Sequence, residues 1–253
     1  MRIFDCTTFF EEHLMMDLRF NILNEYVQKF IDTFEPDFVF KNRPINRFYS
    51  ININVEKQTS NKNQNLEKLK KKIDSIENCN LKNTSSKIVL GSGNINSQIM
   101  VIGETPGMEE EKCGMAFKGE SGTLLKKMLF AINIESDKVY LTYSINFRPP
   151  GDRKPTSSEI KRYSTFLKEH ISIIEPKLIV LMGSTAMEAV TGLNNKISDE
   201  RGKWKEIIIK NKTIPVIITF SPSYLLRFPE NKKFSWIDLK NIKQKIKDLK
   251  IKV

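Results

Sequence analysis

The chain has 253 residues, 40% of them apolar and 28% charged, enough for one full globular core with residues left for an appendage. Its formal net charge of +11 favours a polyanionic partner, nucleic acid or an anionic membrane. Cys6, Cys79 and Cys113 lack CxxC spacing, which excludes a disulfide framework and a zinc cluster, and no run approaches the roughly 18 apolar residues of a membrane span.

The first residues, MRIFDCTTFFEEHL, carry acids where a secretory leader carries bases, so the chain is expected to be soluble, cytoplasmic and reduced. Residues 1–60 read as an N-terminal extension of unassigned role, with helix-forming spacing at Leu18, Ile22, Tyr26 and Phe30. QTSNKNQN (58–65) has no apolar residue and reads as a flexible linker. LEKLKKKIDSIENC (66–79) reads as an amphipathic helix with Leu66, Leu69, Ile73 and Ile76 inward.

From residue 87 onward, strands alternate with helices. IMVIG (99–103), VYLTYSI (139–145) and LIVLMG (178–183) are apolar runs of the kind that form central parallel strands. A helix from about Ser121 to Ile132 presents Leu124, Leu125, Met128 and Leu129. Thr156 and Glu159 have capping-box spacing and open a helix with Ile160, Tyr163, Phe166, Leu167 and Ile174 inward. Another helix starts at Ser184. Residues 206–219 read as two strands with Asn211 near the turn, and a last helix from about Ser235 turns Trp236, Leu239, Ile242 and Ile246 inward. This alternation predicts a parallel sheet covered on both faces. Residues 196–253 hold 15 Lys and Arg against 6 Asp and Glu, so the basic excess is concentrated at the C-terminal end.

Ligands of open parallel sheets sit at the carboxyl ends of the strands, and four polar loops fall there. GETPG (103–107) lets backbone approach a ligand and supplies Glu104, although such a loop is by itself more often a plain turn. MAFKGESG (115–122) offers Phe117 as a stacking surface or as a core residue. NFRPPGDRKPT (146–156) is stiff and basic at Arg148, Arg153 and Lys154, which suits phosphate contact or a solvated connection. SPSYLLRFP (221–229) places Tyr224, Leu225 and Leu226 as a wedge for a base stack or as packing beneath the loop.

In order and spacing, VIGETPG, GMAFKGESGTLLKKML, VYLTYSINFRPPGDRKPTSSEI, PKLIVLMGSTA, RGKW and SPSYLLRFP resemble the family 4 uracil-DNA glycosylases, the iron-sulfur type, over residues 67–248. The resemblance implies a three-layer α/β/α sandwich with a central four-stranded parallel sheet, forming a domain over 67–253. It also implies an enzyme that flips uracil, or another deaminated base, out of DNA and hydrolyses its N-glycosidic bond. By the same resemblance Glu104, Thr105 and Ser221 are catalytic and Gly103, Phe117 and Tyr143 bind the base. Arg148, Arg153, Lys154, Ser223, Tyr224, Leu225 and Arg227 contact DNA. A monomer that acts on DNA is expected.

The match also has departures. Tyr143 stands where the family has an asparagine that reads the uracil edge, and Ser221 stands where it has a histidine that donates to the leaving base. A serine still donates one hydrogen bond but carries no positive charge. The four cluster-cysteine positions are Ile76, Cys79, Phe147 and Tyr163. One thiolate does not supply the four ligands of a cluster, so no iron-sulfur cofactor is expected. A DNA glycosylase of base-excision repair is the first reading, and a DNA-binding protein that kept the fold and lost the chemistry is the second. The third, an α/β enzyme binding a nucleotide phosphate at Gly183–Ser184, has no Walker-type loop to support it.

Overall fold

A computed structural model describes residues 47–252, with side chains at Thr59 and from Asn61 onward; the segment around Leu18–Phe30 lies outside them. The apolar runs become the centre of the sheet: β2 (Ile99–Gly103), β3 (Val139–Tyr143), β4 (Leu178–Met182) and β6 (Lys212–Thr219). They pair in parallel in the order β3-β2-β4-β6. The four-stranded parallel sheet is thus present, but it is the core of a six-stranded one. β1 (Gly91–Gly93) and β5 (Trp204–Ile209) add antiparallel edges, so the full order is β1-β3-β2-β4-β6-β5. β5 is antiparallel because Lys210 and Asn211, both at positive φ (47° and 62°), fold it back onto β6 in a two-residue hairpin.

The helices, in chain order, are α1 (Arg47–Asp74), α2 (Asn80–Thr84), α3 (Met108–Cys113), α4 (Gly119–Phe130), α5 (Ser157–Ile174), α6 (Ser184–Thr191), α7 (Ile197–Glu200), α8 (Pro222–Arg227) and α9 (Lys232–Asp248). Alternate residues of each central strand point to opposite faces, so one five-residue run feeds two cores. Met100, Ile102, Ile179 and Leu181 pack with Leu66, Leu69 and Ile73 of α1, with Tyr163, Leu167 and Ile171 of α5, and with Ala186, Met187 and Val190 of α6. Ile99, Val101, Leu178 and Val180 pack with Leu125 and Leu129 of α4, Leu225 of α8 and Leu239 and Ile242 of α9. Each such buried aliphatic side chain contributes about 1.5–3 kcal/mol. The result is a helix-sheet-helix sandwich.

Two expectations about the helices are corrected. Residues 58–65 are not a linker but part of the continuous helix α1. No glycine or proline interrupts it, and Lys62 Nζ donates to the Ile174 carbonyl (2.7 Å) at the end of α5, where a cation meets free helix carbonyls. Trp236 does not face inward: it is 44% exposed, while Leu239, Ile242 and Ile246 carry the buried stripe of α9. Among the described residues no helix is long and apolar enough to cross a membrane.

The α5 N-terminus follows its sequence signal: Thr156 Oγ1 accepts from Glu159 N (3.3 Å) and Glu159 Oε2 accepts from Thr156 N (2.8 Å). On the buried face of this helix, His170 Nε2 lies 2.9 Å from Tyr140 Oη. Burial lowers the imidazole to about 3, whereas the unfolded side chain titrates near 6.5. Because the folded value is the depressed one, the stability it carries is complete above about pH 6.5 and is lost as pH falls toward 3. The urea midpoint is therefore expected to drop steadily from pH 6.5 to 4, and His170→Gln is expected to flatten that slope. An unchanged slope in the variant would refute the assignment.

Candidate active site

The carboxyl ends of the four parallel strands lie side by side: Gly103 pairs with Tyr143, and Met182 with Thr219. The loops that leave these ends enclose a cavity of about 490 Å³. Gly103, Glu104, Thr105, Phe117, Tyr143, Arg153, Lys154, Ser221, Ser223, Tyr224 and Arg227 all line it. Arg148 and Leu225, expected on the DNA-facing surface, do not.

The first loop is fastened to the second strand's exit. Ser144 N donates to the Gly103 carbonyl (2.9 Å), and Ile145 N and Ser144 Oγ donate to the Glu104 carbonyl. The Glu104 side chain crosses to the start of α6, where Oε1 accepts from Thr185 N (3.2 Å) and Ser184 Oγ (3.4 Å). The positive end of the helix thereby faces a carboxylate. Gly183, at φ +103°, is required here twice over: a Cβ would be strained at that angle and would stand 2.2 Å from Glu104 Cδ.

Phe117 is held at φ +53°, in the left-handed region an aromatic residue rarely adopts, and its ring is buried. It stacks on Tyr143 at 4.8 Å between centroids and 25° between planes. Phe117 N also donates to Tyr143 Oη (3.1 Å). Both rings press on Gly103, whose absent Cβ would stand 2.7 Å from Phe117 Cζ and 2.8 Å from Tyr143 Cδ1. One face of the Phe117 ring is therefore covered from within the chain. Burial pushes the Tyr143 phenol above its ordinary range, and Glu110 adds to the shift.

Ser221 is buried, and its hydroxyl caps α8: Oγ accepts from Tyr224 N (3.3 Å) and lies 3.2 Å from Ser223 Oγ. Tyr224 stacks between Phe220 (4.9 Å) and Phe228 (4.9 Å). Leu225 is 1% exposed and belongs to the core, so of its two sequence readings, wedge and packing, the packing is the one observed. The reason is helical phase: α8 turns Leu225 inward and leaves Leu226 and Arg227 outside. Arg148 is bound to its own loop, Nε and Nη2 to Asp152 (2.7 and 2.9 Å), and to α3, Nη1 to Glu111 (3.2 Å). Arg153 pairs with Glu159 at 2.7 Å, and Lys154 is exposed at the rim.

The sequence reading missed Glu110, a buried cavity-lining carboxylate whose Oε2 accepts from Gly107 N (3.0 Å). The three-residue spacing from Gly107, which caps α3, to Glu110 is the signal for it. Gly183–Ser184 reads from sequence as an anion site, and the structure fills it with Glu104, which meets Ser184 Oγ and Thr185 N.

A parallel sheet covered on both faces, with a polar cleft beyond its strands' carboxyl ends, defines the open α/β class that takes its ligand at that edge. Within the class, this chain belongs to the uracil-DNA glycosylase superfamily, whose family model, described as "Uracil DNA glycosylase superfamily", matches residues 90–243. It is 38% identical over 154 residues to the type-4 uracil-DNA glycosylase of Thermotoga maritima, covering 60% of this chain and 79% of that protein. It is 31% identical over 183 residues to the type-4 enzyme of Archaeoglobus fulgidus, covering 71% and 92%. With that of Sulfurisphaera tokodaii it shares 36% identity over 187 residues, covering 71% and 84%.

These relatives overturn the expectation that no cofactor is held. They are type-4 enzymes by name, and the resemblance described that class as the iron-sulfur one. The four ligand positions hold Ile76, Cys79, Phe147 and Tyr163. Cys79 Sγ lies 3.3 Å from Tyr163 Oη, Phe147 meets Tyr163 edge-on at 6.3 Å, and Ile76 packs in the same core. One thiol with two aromatic rings and an isoleucine does not fit a cluster's ligand set. No step is derived through such a group.

Proposed function

We propose that the protein is a DNA glycosylase that hydrolyses the N-glycosidic bond of uracil, or of another deaminated base, in DNA during base-excision repair. The observation that carries this reading is the Glu104 carboxylate, fixed by α6 at the mouth of a cleft that also holds Phe117 and Ser221, in a chain of this superfamily. In this reading the base leaves as an anion and a water adds its hydroxyl to C1′. Glu104 accepts that water's proton and its charge stabilises the oxocarbenium-like sugar, while the Ser221 hydroxyl donates to the departing base. The net charge of +11 supports a polyanionic substrate, met as a monomer in the cytoplasm.

The Tyr143–Phe117 stack favours the second reading, a DNA-binding protein of the same fold without cleavage, because the ring lies where a flipped base would stack. The readings are separated by assaying the purified chain and Glu104→Ala on single- and double-stranded oligonucleotides carrying uracil, hypoxanthine or xanthine. Excision that disappears in the variant supports the enzyme. Salt-sensitive DNA binding without excision of any base sinks it. If the chain is an enzyme with a slot narrowed by Tyr143, Tyr143→Asn is expected to raise uracil excision at least about tenfold, one to two kcal/mol of relieved obstruction. The variant should also lose about 3 kcal/mol of stability with the buried ring. Excision that falls below the wild type in a folded variant would show that the ring assists the reaction.

A further inference from the structure

Beside the cavity lies a second cleft of about 470 Å³, lined by Lys196, Arg201, Asn231 and Phe234 and sharing Ile197, Phe220 and Tyr224 with the first. Its aromatic content is ordered. Buried Phe220, half-buried Tyr224 and Phe228 form a ladder of rings 4.9 Å apart that runs from the cavity to the surface. Asn231 Nδ2 fixes the middle ring by donating to Tyr224 Oη (3.0 Å). The ladder ends on Phe228, 44% exposed, and Phe234, which lines the second cleft, is 37% exposed. Arg201 lies over both Phe220 (5.8 Å) and Phe234 (5.3 Å) and binds the Phe234 carbonyl and Asp238, so Phe234 is held in place.

The charge around these rings is mostly positive. Arg227, Lys232, Lys233 and Lys240 share the segment with Glu230 and with Asp238, which is buried and paired. Lys233 Nζ lies 5.1 Å from the centre of the Phe234 ring, so a cation stands directly against an exposed ring. Exposed rings interleaved with cations, next to a base-sized cavity, are what an unpaired polynucleotide binds: each base has a face to stack and each linkage a charge. A protein partner explains the apolar rings but neither the lysines between them nor the side chains shared with the cavity.

We propose that this side of the second cleft is a single-strand platform, on which Phe228 and Phe234 stack unpaired nucleobases flanking the one in the cavity. The proposal rests on the DNA reading above and assigns single-stranded DNA as the preferred form of the substrate. It is tested on the full chain with fluorescein-labelled oligothymidylate and a hairpin duplex of the same length, neither containing uracil, so that binding is read without excision. The wild type is expected to bind the single strand more tightly. Phe234→Ala is expected to weaken that binding about 5- to 100-fold per lost stack and duplex binding less than twofold, with Phe234→Tyr close to the wild type. Phe228→Ala, a replacement at the exposed end of the ladder, should repeat the effect.

Unchanged single-strand binding in both alanine variants overturns the platform and leaves the glycosylase reading standing. Self-association of the wild type that Phe234→Ala abolishes, with single-strand binding unchanged, overturns it in favour of a protein interface. Binding to neither form of DNA overturns both readings, whereas absent excision with the single-strand effect intact overturns the glycosylase alone.

Discussion

Asp238→Ala is expected to destabilise the protein by about 3–5 kcal/mol, the loss typical when one partner of a buried ion pair is removed. Asp238 is completely buried on α9, where it accepts from Thr219 Oγ1 (2.8 Å) at the end of β6 and from Arg201 Nε (3.1 Å) and Nη2. Gly202 lets the chain close over it: a Cβ there would stand 2.7 Å from Asp238 Oδ1. Burial pushes the Asp238 carboxyl up more than Thr219 and Arg201 pull it down. The pair is thus no surplus source of stability, yet losing one member strands the other, because Arg201 is itself largely buried. Against a typical total of about 5–15 kcal/mol, the variant should unfold at much lower urea. A loss under about 1 kcal/mol would show that water reaches Arg201 freely.

Glu104→Gln is expected to lower base excision by about 10²–10⁴-fold, the range for removing a positioned proton acceptor. The amide is nearly isosteric and can still accept from Thr185 N and Ser184 Oγ, so the fold and the loop should persist. What is lost is the charge and the proton acceptor. Gly183→Ala tests the same group from the opposite side, because its methyl takes the space of the Glu104 carboxyl. It should match Glu104→Gln in activity and add a stability cost for a side chain at φ +103°. Single-turnover excision by both variants within threefold of the wild type would remove Glu104 from the chemistry.

The two corrections to the helices have a common cause. Residues 58–65 looked like a linker because they lack apolar side chains, yet a helix needs only the absence of breakers and an anchor, and Lys62 on the α5 carbonyls is one. Trp236 looked buried because it is large and apolar. The phase of α9 is instead set by Leu239, Ile242 and Ile246, and those leave position 236 outside.

The sequence by itself determined the layers of this protein. Five-residue apolar runs bounded by turn residues read as strands covered on both faces, the Thr156–Glu159 pair reads as a helix start, and the order of the four loops carried the family. Only the tertiary structure decided what the cleft residues touch. Tyr143 meets Phe117 across 26 residues of chain, and Glu104 meets Thr185 across 81. Ser221, read as a donor to a leaving base, also serves as a helix cap. Strand and helix signals are local in the chain, because backbone hydrogen bonding and burial repeat every few residues. The partner of a loop side chain is set by which strand ends the sheet brings together, and no local pattern encodes that.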